Sequence, residues 1–428
     1  MAGEPAVVAA EQASDGPSFG RAAAFGLGVL TFINLFNYLD RYVLSALVES
    51  LKKEPELALT DARAGLLMTG FVIVYMAASP FFGALGDKRG RPRLIALGVG
   101  IWSIATMLGG LAHSFASLFS ARAAVGIGEA AYATIAPALL ADYYPKRLRG
   151  RVFSVFYAAI PLGSALGYIL GGLMDAHFGW RAAFFVAGGP GILLALLCLG
   201  ILDPPRGAHD AGEAAVSHAP PTNLAAYAAL AKNVPYAVTV LGYAAYTFGL
   251  GGLAFWMPAF LERVRHVAKT EATVQFGAIV VVTGFLGTFG GGWLGDYCLR
   301  YTKQAYLWVS GAATLLAVPL AAVAFVSPEP RIYLAATIGA ELLIFASTGP
   351  INSAIVNVVP PGMRATAVAV SIFAIHIFGD VPSPPAIGAI SDATSLQTAV
   401  LIVPVVFFLA GLVWTIGAWV GDRRGWAA

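Results

Sequence analysis

Apolar residues fill this chain in twelve long runs, at 22–48, 63–86, 94–112, 116–141, 151–174, 181–202, 234–260, 272–295, 305–326, 332–358, 365–390 and 397–420. Each is close to or above the roughly 20 residues that a helix needs to cross a bilayer. The pattern predicts an all-α integral membrane protein with 12 transmembrane helices. The longest connection, from Asp203 to Lys232, is rich in Ala, Pro and His and shows no apolar periodicity. It divides the spans into two six-helix bundles, 22–202 and 234–421, joined by a linker at 203–233, with tails at 1–21 and 422–428. The first run is long enough to span and is preceded by no basic segment, so it is expected to be retained as a helix, not removed as a signal peptide.

Composition agrees, with 58% hydrophobic and 11% charged residues in 428, far from a soluble globular protein. A net charge of +3 in scattered clusters gives no nucleic-acid footprint. The connections holding Lys88, Arg89, Arg91, Arg93 and Lys146, Arg147, Arg149, Arg151 are strongly basic, whereas "AHSF" between spans 3 and 4 carries no formal charge. Basic loops mark the cytoplasm, so both termini are expected there, with the cell (inner) membrane as host. Cys198 and Cys298 lack metal spacing and the six histidines are dispersed, so neither metal nor cofactor is expected. Without a nucleophile motif or a filter motif, enzyme and channel are disfavoured. Transporter and non-transporting sensor or receptor remain.

The two halves repeat. "GALGD" (Gly83–Asp87) recurs as "GWLGD" (Gly292–Asp296), and "DYYPKRLRG" (Asp142–Gly150) matches "NVVPPGMRA" (Asn357–Ala365), keeping Pro145 as Pro360 and Arg149 as Arg364. Repeated six-helix halves are the layout of carriers that rock two bundles around a central site.

Ionisable residues inside spans are costly, about 2.5–3.5 kcal/mol each at a helix centre on insertion scales, and the first half holds Asp40, Arg41, Arg122 and Glu129. Arg122 and Glu129 are seven apart, on one helix face. Span 1 runs outward and span 4 inward, and Asp40 and Arg122 each lie about 12 Å from the outer end, so the two can pair. Glu129 lies about 10 Å deeper, near the midplane where coupling-ion sites are expected. Glu129 is assigned the proton, Asp40 a second switchable acid, and Arg122 the anionic group of a substrate or the release of Asp40. A static network holding spans 1 and 4 together is the alternative. Arg41 points about 100° from Asp40 and shares a face with Asn34 and Asn37; Arg41 and Asn37 are candidate cavity residues. In the second half His376 and Asp380 stand one turn apart on span 11 and can hydrogen-bond, either as a relay or as a structural pair. Pro382, Pro384 and Pro385 break that span and free carbonyls that could line the pathway. Glu341 is a weaker candidate. "GSALGYILGG" (Gly163–Gly172) has the small-residue spacing of close helix packing.

"GALGDKRGRPR" (Gly83–Arg93) resembles the signature loop of the major facilitator superfamily. The resemblance implies that Gly83, Asp87, Gly90 and Arg91, with Arg149 from the following basic loop, belong to a cytoplasmic latch between the halves; the second copy, "GDYCLRYTKQ", keeps Asp296 and loses the Gly-Arg turn. "INLFNYLDRY", "RAAVGIGEAAYATIAPALLADYYP", "FYAAIPLGSALGYILGG" and "HIFGDVPSPPAIGAISD" resemble the Spinster branch. That resemblance implies a proton-coupled carrier of lysophospholipids or sphingosine phosphates working by alternating access, with an organic-anion or multidrug carrier as the alternative. An acyl chain would need an apolar cleft, for which Tyr157 and Phe153 of span 5 and Tyr243, Tyr246, Phe248, Phe255 and Trp256 of span 7 are the candidate walls. The expected partners are a small amphipathic substrate, protons and membrane lipid, and a monomer is expected.

Overall fold

The computed structural model describes residues 17–206, 208, 224–360 and 363–426, so the tails and the linker are described only in part. Among the described residues there are twelve helices long and apolar enough to cross a membrane: spans 1 to 12 are Gly20–Lys52, Asp61–Gly86, Arg91–Gly109, Phe115–Tyr143, Arg151–Phe178, Trp180–Cys198, Val234–Arg263, Lys269–Cys298, Ala305–Val326, Pro330–Asn357, Thr366–Ala393 and Leu396–Arg424. A short helix, Leu224–Lys232, precedes span 7. No strand occurs among the described residues.

Local sequence sets the boundaries. Span 2 starts where Thr60 accepts the backbone N–H of Arg63 at 3.2 Å, and span 7 where Asn233 accepts that of Tyr236 at 3.0 Å. A reciprocal Ser114–Ser117 capping box opens span 4. Each device satisfies donors that no helical carbonyl reaches. Gly179, at φ +82°, turns the chain from span 5 into span 6 in one residue, a conformation that a Cβ would strain.

Within the first half, span 1 packs on spans 5 and 6, and span 4 on spans 2 and 3; in the second, span 9 packs on spans 10 and 12, and span 7 on span 12. Gly163 and Gly167 put the backbone of span 5 against the carbonyls of Leu35 and Leu39, the packing use of that glycine run. The halves meet mainly along two seams, span 2 with span 11 and span 5 with span 8, with a smaller contact between spans 1 and 7. The internal repeat is visible in side-chain chemistry: Arg149 Nε donates to the Ala141 carbonyl at 3.0 Å and Arg364 Nε to the Val356 carbonyl at 3.1 Å. Both arginines reach eight residues back to close the end of the preceding span.

Span 11 is interrupted. His376–Asp380 form a π-helical turn before the helix resumes at Ser383. Pro385 has no N–H to offer the Val381 carbonyl, and Thr69 Oγ1 of span 2 donates there instead. Trp256 Nε1 donates to the Pro384 carbonyl at 3.0 Å. These two carbonyls therefore tie span 11 to spans 2 and 7, so the Val381 carbonyl that Pro385 leaves free is taken up by a side chain of span 2.

Candidate functional site

Spans 1 and 4 carry two ion pairs side by side. Arg122 Nη1 donates to both Asp40 oxygens, at 3.3 and 3.2 Å, and both side chains are fully buried. Arg41 Nη2 donates to Glu129 Oε2 at 2.8 Å. Side chains on a helix tilt toward its N-terminus, which carries Arg41 from the level of Asp40 toward the deeper Glu129. Gly126 and Gly128, three and one residues before Glu129, let span 4 press against the backbones of spans 2 and 3, so the carboxylate is sealed on those sides. Glu129 is wholly buried, while 16% of the Arg41 side chain remains accessible. The guanidinium lies 4.9 Å from the Tyr38 ring centre and 5.0 Å from that of Phe71, an arrangement that favours a cation with few hydrogen-bond partners.

The network is incomplete. Arg41 Nε and Arg122 Nε and Nη2 are buried without a hydrogen-bond partner among the described residues. An unsatisfied buried polar group costs about 1–3 kcal/mol, and more when charged. A network serving only to hold helices together stabilises best when every member is paired, so these open positions weigh toward a site that exchanges partners.

The remaining predicted residues divide. His376 Nδ1 lies 2.9 and 3.0 Å from the Asp380 oxygens, and the His376 ring meets the Tyr75 ring edge-on at 6.4 Å. The pair thus faces span 2 of the other half, with Tyr38, Tyr42 and Tyr243 in its electrostatic reach. Asn37 is buried beside Glu129, and Asn34 donates to the Phe156 carbonyl at 2.9 Å.

A cavity of about 800 Å³ runs along the seam between spans 5 and 8, within the roughly 300–1,000 Å³ range of small-molecule sites. Its walls are Tyr42 from span 1, Phe153, Tyr157, Pro161 and Tyr168 from span 5, Phe276, Val280, Phe285 and Phe289 from span 8, and Glu341, Phe345, Thr348 and Asn352 from span 10. Phe153 and Asn352 lie near the ends of their spans on the face that carries the basic loops, so the cavity extends toward that face. Tyr157 is among the wall residues. Other candidates stand outside this wall. Tyr246 is packed inside the second half, its hydroxyl donating to the Ile344 carbonyl at 2.8 Å. Tyr243 stands behind Asn352, which donates to its hydroxyl at 3.3 Å. Arg122 is enclosed with Asp40, whereas 16% of the Arg41 side chain is accessible. Phe255 and Trp256 are likewise buried in packing. The opposing wall belongs to spans 8 and 10, whose sequence hints are Glu341 and the four-residue spacing of Phe285 and Phe289. Glu341 lies in that wall and accepts from Thr283 Oγ1 at 3.0 Å.

Away from the basic face, charge closes the molecule. Arg263 of span 7 donates to both Asp61 oxygens, at 2.6 and 2.9 Å, and to Glu49. Asp61 also takes Lys52 and Ser391, and Asp392 accepts the backbone N–H groups of Asp61 and Ala62 at 2.9 Å. Lys269 binds Asp175 and Ser50. Among the described residues, the ion pairs that join the halves all lie on this face.

The expected latch is arranged differently. Arg91 binds Asp142, Asp203 and the Pro204 carbonyl, and its backbone N–H donates to Asp203 at 3.0 Å. A carboxylate does sit at the start of span 3, and it is Asp203. These contacts, and those of Arg149 to Ala141 and Tyr144, stay within the first half, so in this conformation the loop braces spans 3, 4 and 6. Gly83 has open space beside it, whereas Gly86 packs closely against Ile135. Gly90 has φ −64°, which any residue adopts. The side chain of Asp87 lies outside the described residues.

Residues 30–381 match the sequence model of the Major Facilitator Superfamily. The chain is 35% identical to Protein spinster of Drosophila melanogaster over 88% of its length, and it spans 63% of that relative. It is 34% identical to Sphingosine-1-phosphate transporter SPNS2 of Xenopus tropicalis, over 88% of this chain and 75% of that one. A crystal structure of a bacterial homolog of the human lysosomal transporter Spinster, inward-facing and unoccupied, superposes with a TM-score of 0.86 at 24% identity, covering 95% of this chain and 99% of that one.

Proposed function

The chain belongs to the Major Facilitator Superfamily and to its Spinster branch, and from that premise we propose that it is a proton-coupled carrier of a single-chain anionic amphiphile, of lysophospholipid or sphingosine-phosphate type. The observation that carries the reading is the buried Arg41–Glu129 pair, with part of the Arg41 side chain accessible, in a molecule that also holds an apolar cavity lined by the next residue of span 1, Tyr42. A guanidinium such as that of Arg41 holds phosphate in bidentate fashion. An anionic headgroup and the Glu129 carboxylate compete for this one partner.

Protonation of Glu129 removes its claim on Arg41 and frees the guanidinium for the headgroup. By linkage, headgroup binding favours the protonated acid to the same degree, so proton and anion load together. The groups that set the balance are Arg41, Tyr38 and Asp40 from span 1, Tyr75 from span 2 and Tyr132 from span 4 itself. The apolar walls between spans 5 and 8 take the chain. With basic loops and both termini at the cytoplasm, the conformation described is closed outside by the Asp61–Arg263 cluster and accessible from inside. Alternating access requires that cluster to open while the seams on the basic face close.

Competition binding tests the substrate class. Lysophosphatidic acid is expected to stabilise the purified protein against thermal unfolding and to displace a labelled lysolipid, whereas sugar acids and lipophilic cations are not. Stabilisation by either of those classes and none by the lysolipid would transfer the reading to an organic-anion or multidrug carrier.

A further inference from the structure

Span 8 carries Phe285, Phe289, Trp293 and Tyr297, and Tyr301 follows just past its end, five aromatic residues at one spacing of four. Only 12% of the chain is aromatic, so composition does not produce such a run. The spacing makes Phe285, Phe289, Trp293 and Tyr297 successive neighbours in a row that winds about 40° per step around the helix. Phe285 and Phe289 stack with ring centres 6.3 Å apart, Trp293 and Tyr297 at 5.7 Å, and Tyr297 meets Tyr301 at 5.8 Å. On the other side of the helix, a Cβ at Gly287 or Gly291 would strike the Leu342 or Ala346 carbonyl of span 10. That seating fixes the stripe outward, and Phe289, Trp293 and Tyr301 are 68%, 69% and 74% exposed.

The stripe is continuous with the cavity and graded in polarity. Its first two rings are cavity wall, facing the stacked Phe153–Tyr157 pair of span 5 across the seam. Its far end is polar: the Tyr297 and Tyr301 hydroxyls lie 3.2 Å apart and the Arg300 guanidinium lies 5.1 Å from the Tyr297 ring centre. From Phe285 to Tyr301 the rise is about 24 Å, more than the roughly 15 Å half-thickness of the hydrocarbon core. A belt of interfacial aromatics accounts for Trp293, Tyr297 and Tyr301; it does not account for two further rings in register that run into the cavity.

We propose that this stripe is a docking track for a single-chain anionic lipid, holding the acyl chain along Phe289 and Trp293 and the headgroup at Arg300, and delivering the chain to the cavity between spans 5 and 8. The inference rests on the proposed substrate class, and two separate readouts keep the failures distinct. The first is quenching of Trp293 fluorescence, isolated as the difference between the full chain and Trp293→Phe, by lysophosphatidic acid brominated on its chain in vesicles of unbrominated phosphatidylcholine. Quenching by the lysolipid is expected to exceed at least twofold that by brominated diacyl phosphatidylcholine at the same mole fraction. Equal quenching overturns the track and makes Trp293 a belt residue. The second is transport of lysolipid: Phe289→Ala with Trp293→Ala is expected to slow long-chain substrate about fivefold, as lost aromatic contacts of this kind do, with Trp419→Ala as the exposed-aromatic control. Wild-type rates in the double variant overturn the track while leaving the substrate reading intact. Selective quenching without any transport keeps the docking site and refutes the carrier.

Discussion

Arg263→Ala removes the residue on which the outer closure converges. In the closed state this guanidinium bridges Asp61 and Glu49 across the two halves. Stranding a buried partner typically costs about 3–5 kcal/mol. Here Asp61 keeps Lys52 and Ser391 and the Arg263 side chain is 26% exposed, so screening and the surviving partners reduce the loss to about 1–2 kcal/mol. That corresponds to a shift of roughly five- to thirtyfold toward the outward-open state. Spin labels at Glu56→Cys and Glu271→Cys, exposed positions of the two halves on that face, in a background with Cys298→Ser, read the change as a second, longer distance. Arg263→Lys keeps the charge, loses the bidentate geometry and is expected to fall between. A double-mutant cycle with Asp61→Asn should show coupling above about 0.5 kcal/mol. An unchanged distance distribution in Arg263→Ala, together with additivity in the cycle, would refute the assignment of this cluster as the outer gate.

The two arginines of the first half should separate by assay. Arg122→Ala, which strands the fully buried Asp40, is expected to cost about 3–5 kcal/mol of stability, read as a lowered melting temperature, while Arg41→Ala melts closer to wild type and loses lysolipid binding. Gly65→Ala places a Cβ into the Pro384 backbone; overpacking of this kind costs about 1–3 kcal/mol, and span 2 and span 11 should part in the same spin-label experiment. Thr69→Val leaves the Val381 carbonyl without its donor and is expected to cost about 1–3 kcal/mol, measured by thermal unfolding.

Much of this was legible before any coordinates, and the limits have physical causes. Span count follows from the length of apolar runs alone. Equal depth was enough to bring Asp40 to Arg122, because rise per residue is fixed along any helix. The Arg41–Glu129 pair was not readable, since it depends on how span 4 is rotated and how far a long side chain tilts, which depth does not report. Span 7 attracted the cavity assignment by its aromatic content. In a helix that is apolar all round, no periodicity separates the face toward a cavity from the face toward lipid or a neighbouring helix, and Tyr246 and Trp256 proved to be packing residues while Phe285 and Phe289 of span 8 form the wall. The outer cluster joins Asp61 to Arg263 across 202 residues of chain; charges at helix ends are visible in sequence, but their partners are set by tertiary packing.

The central claim is that Glu129 binds the proton that loads with the substrate anion. In sealed proteoliposomes holding the full chain, lysophosphatidic acid should accumulate in the compartment into which an imposed pH gradient drives protons. A protonophore should abolish that accumulation. Glu129→Gln should still exchange substrate across the membrane but respond to neither treatment, because a neutral amide leaves Arg41 to the headgroup at every pH. Accumulation by Glu129→Gln that follows the pH gradient as in the wild type would contradict the account.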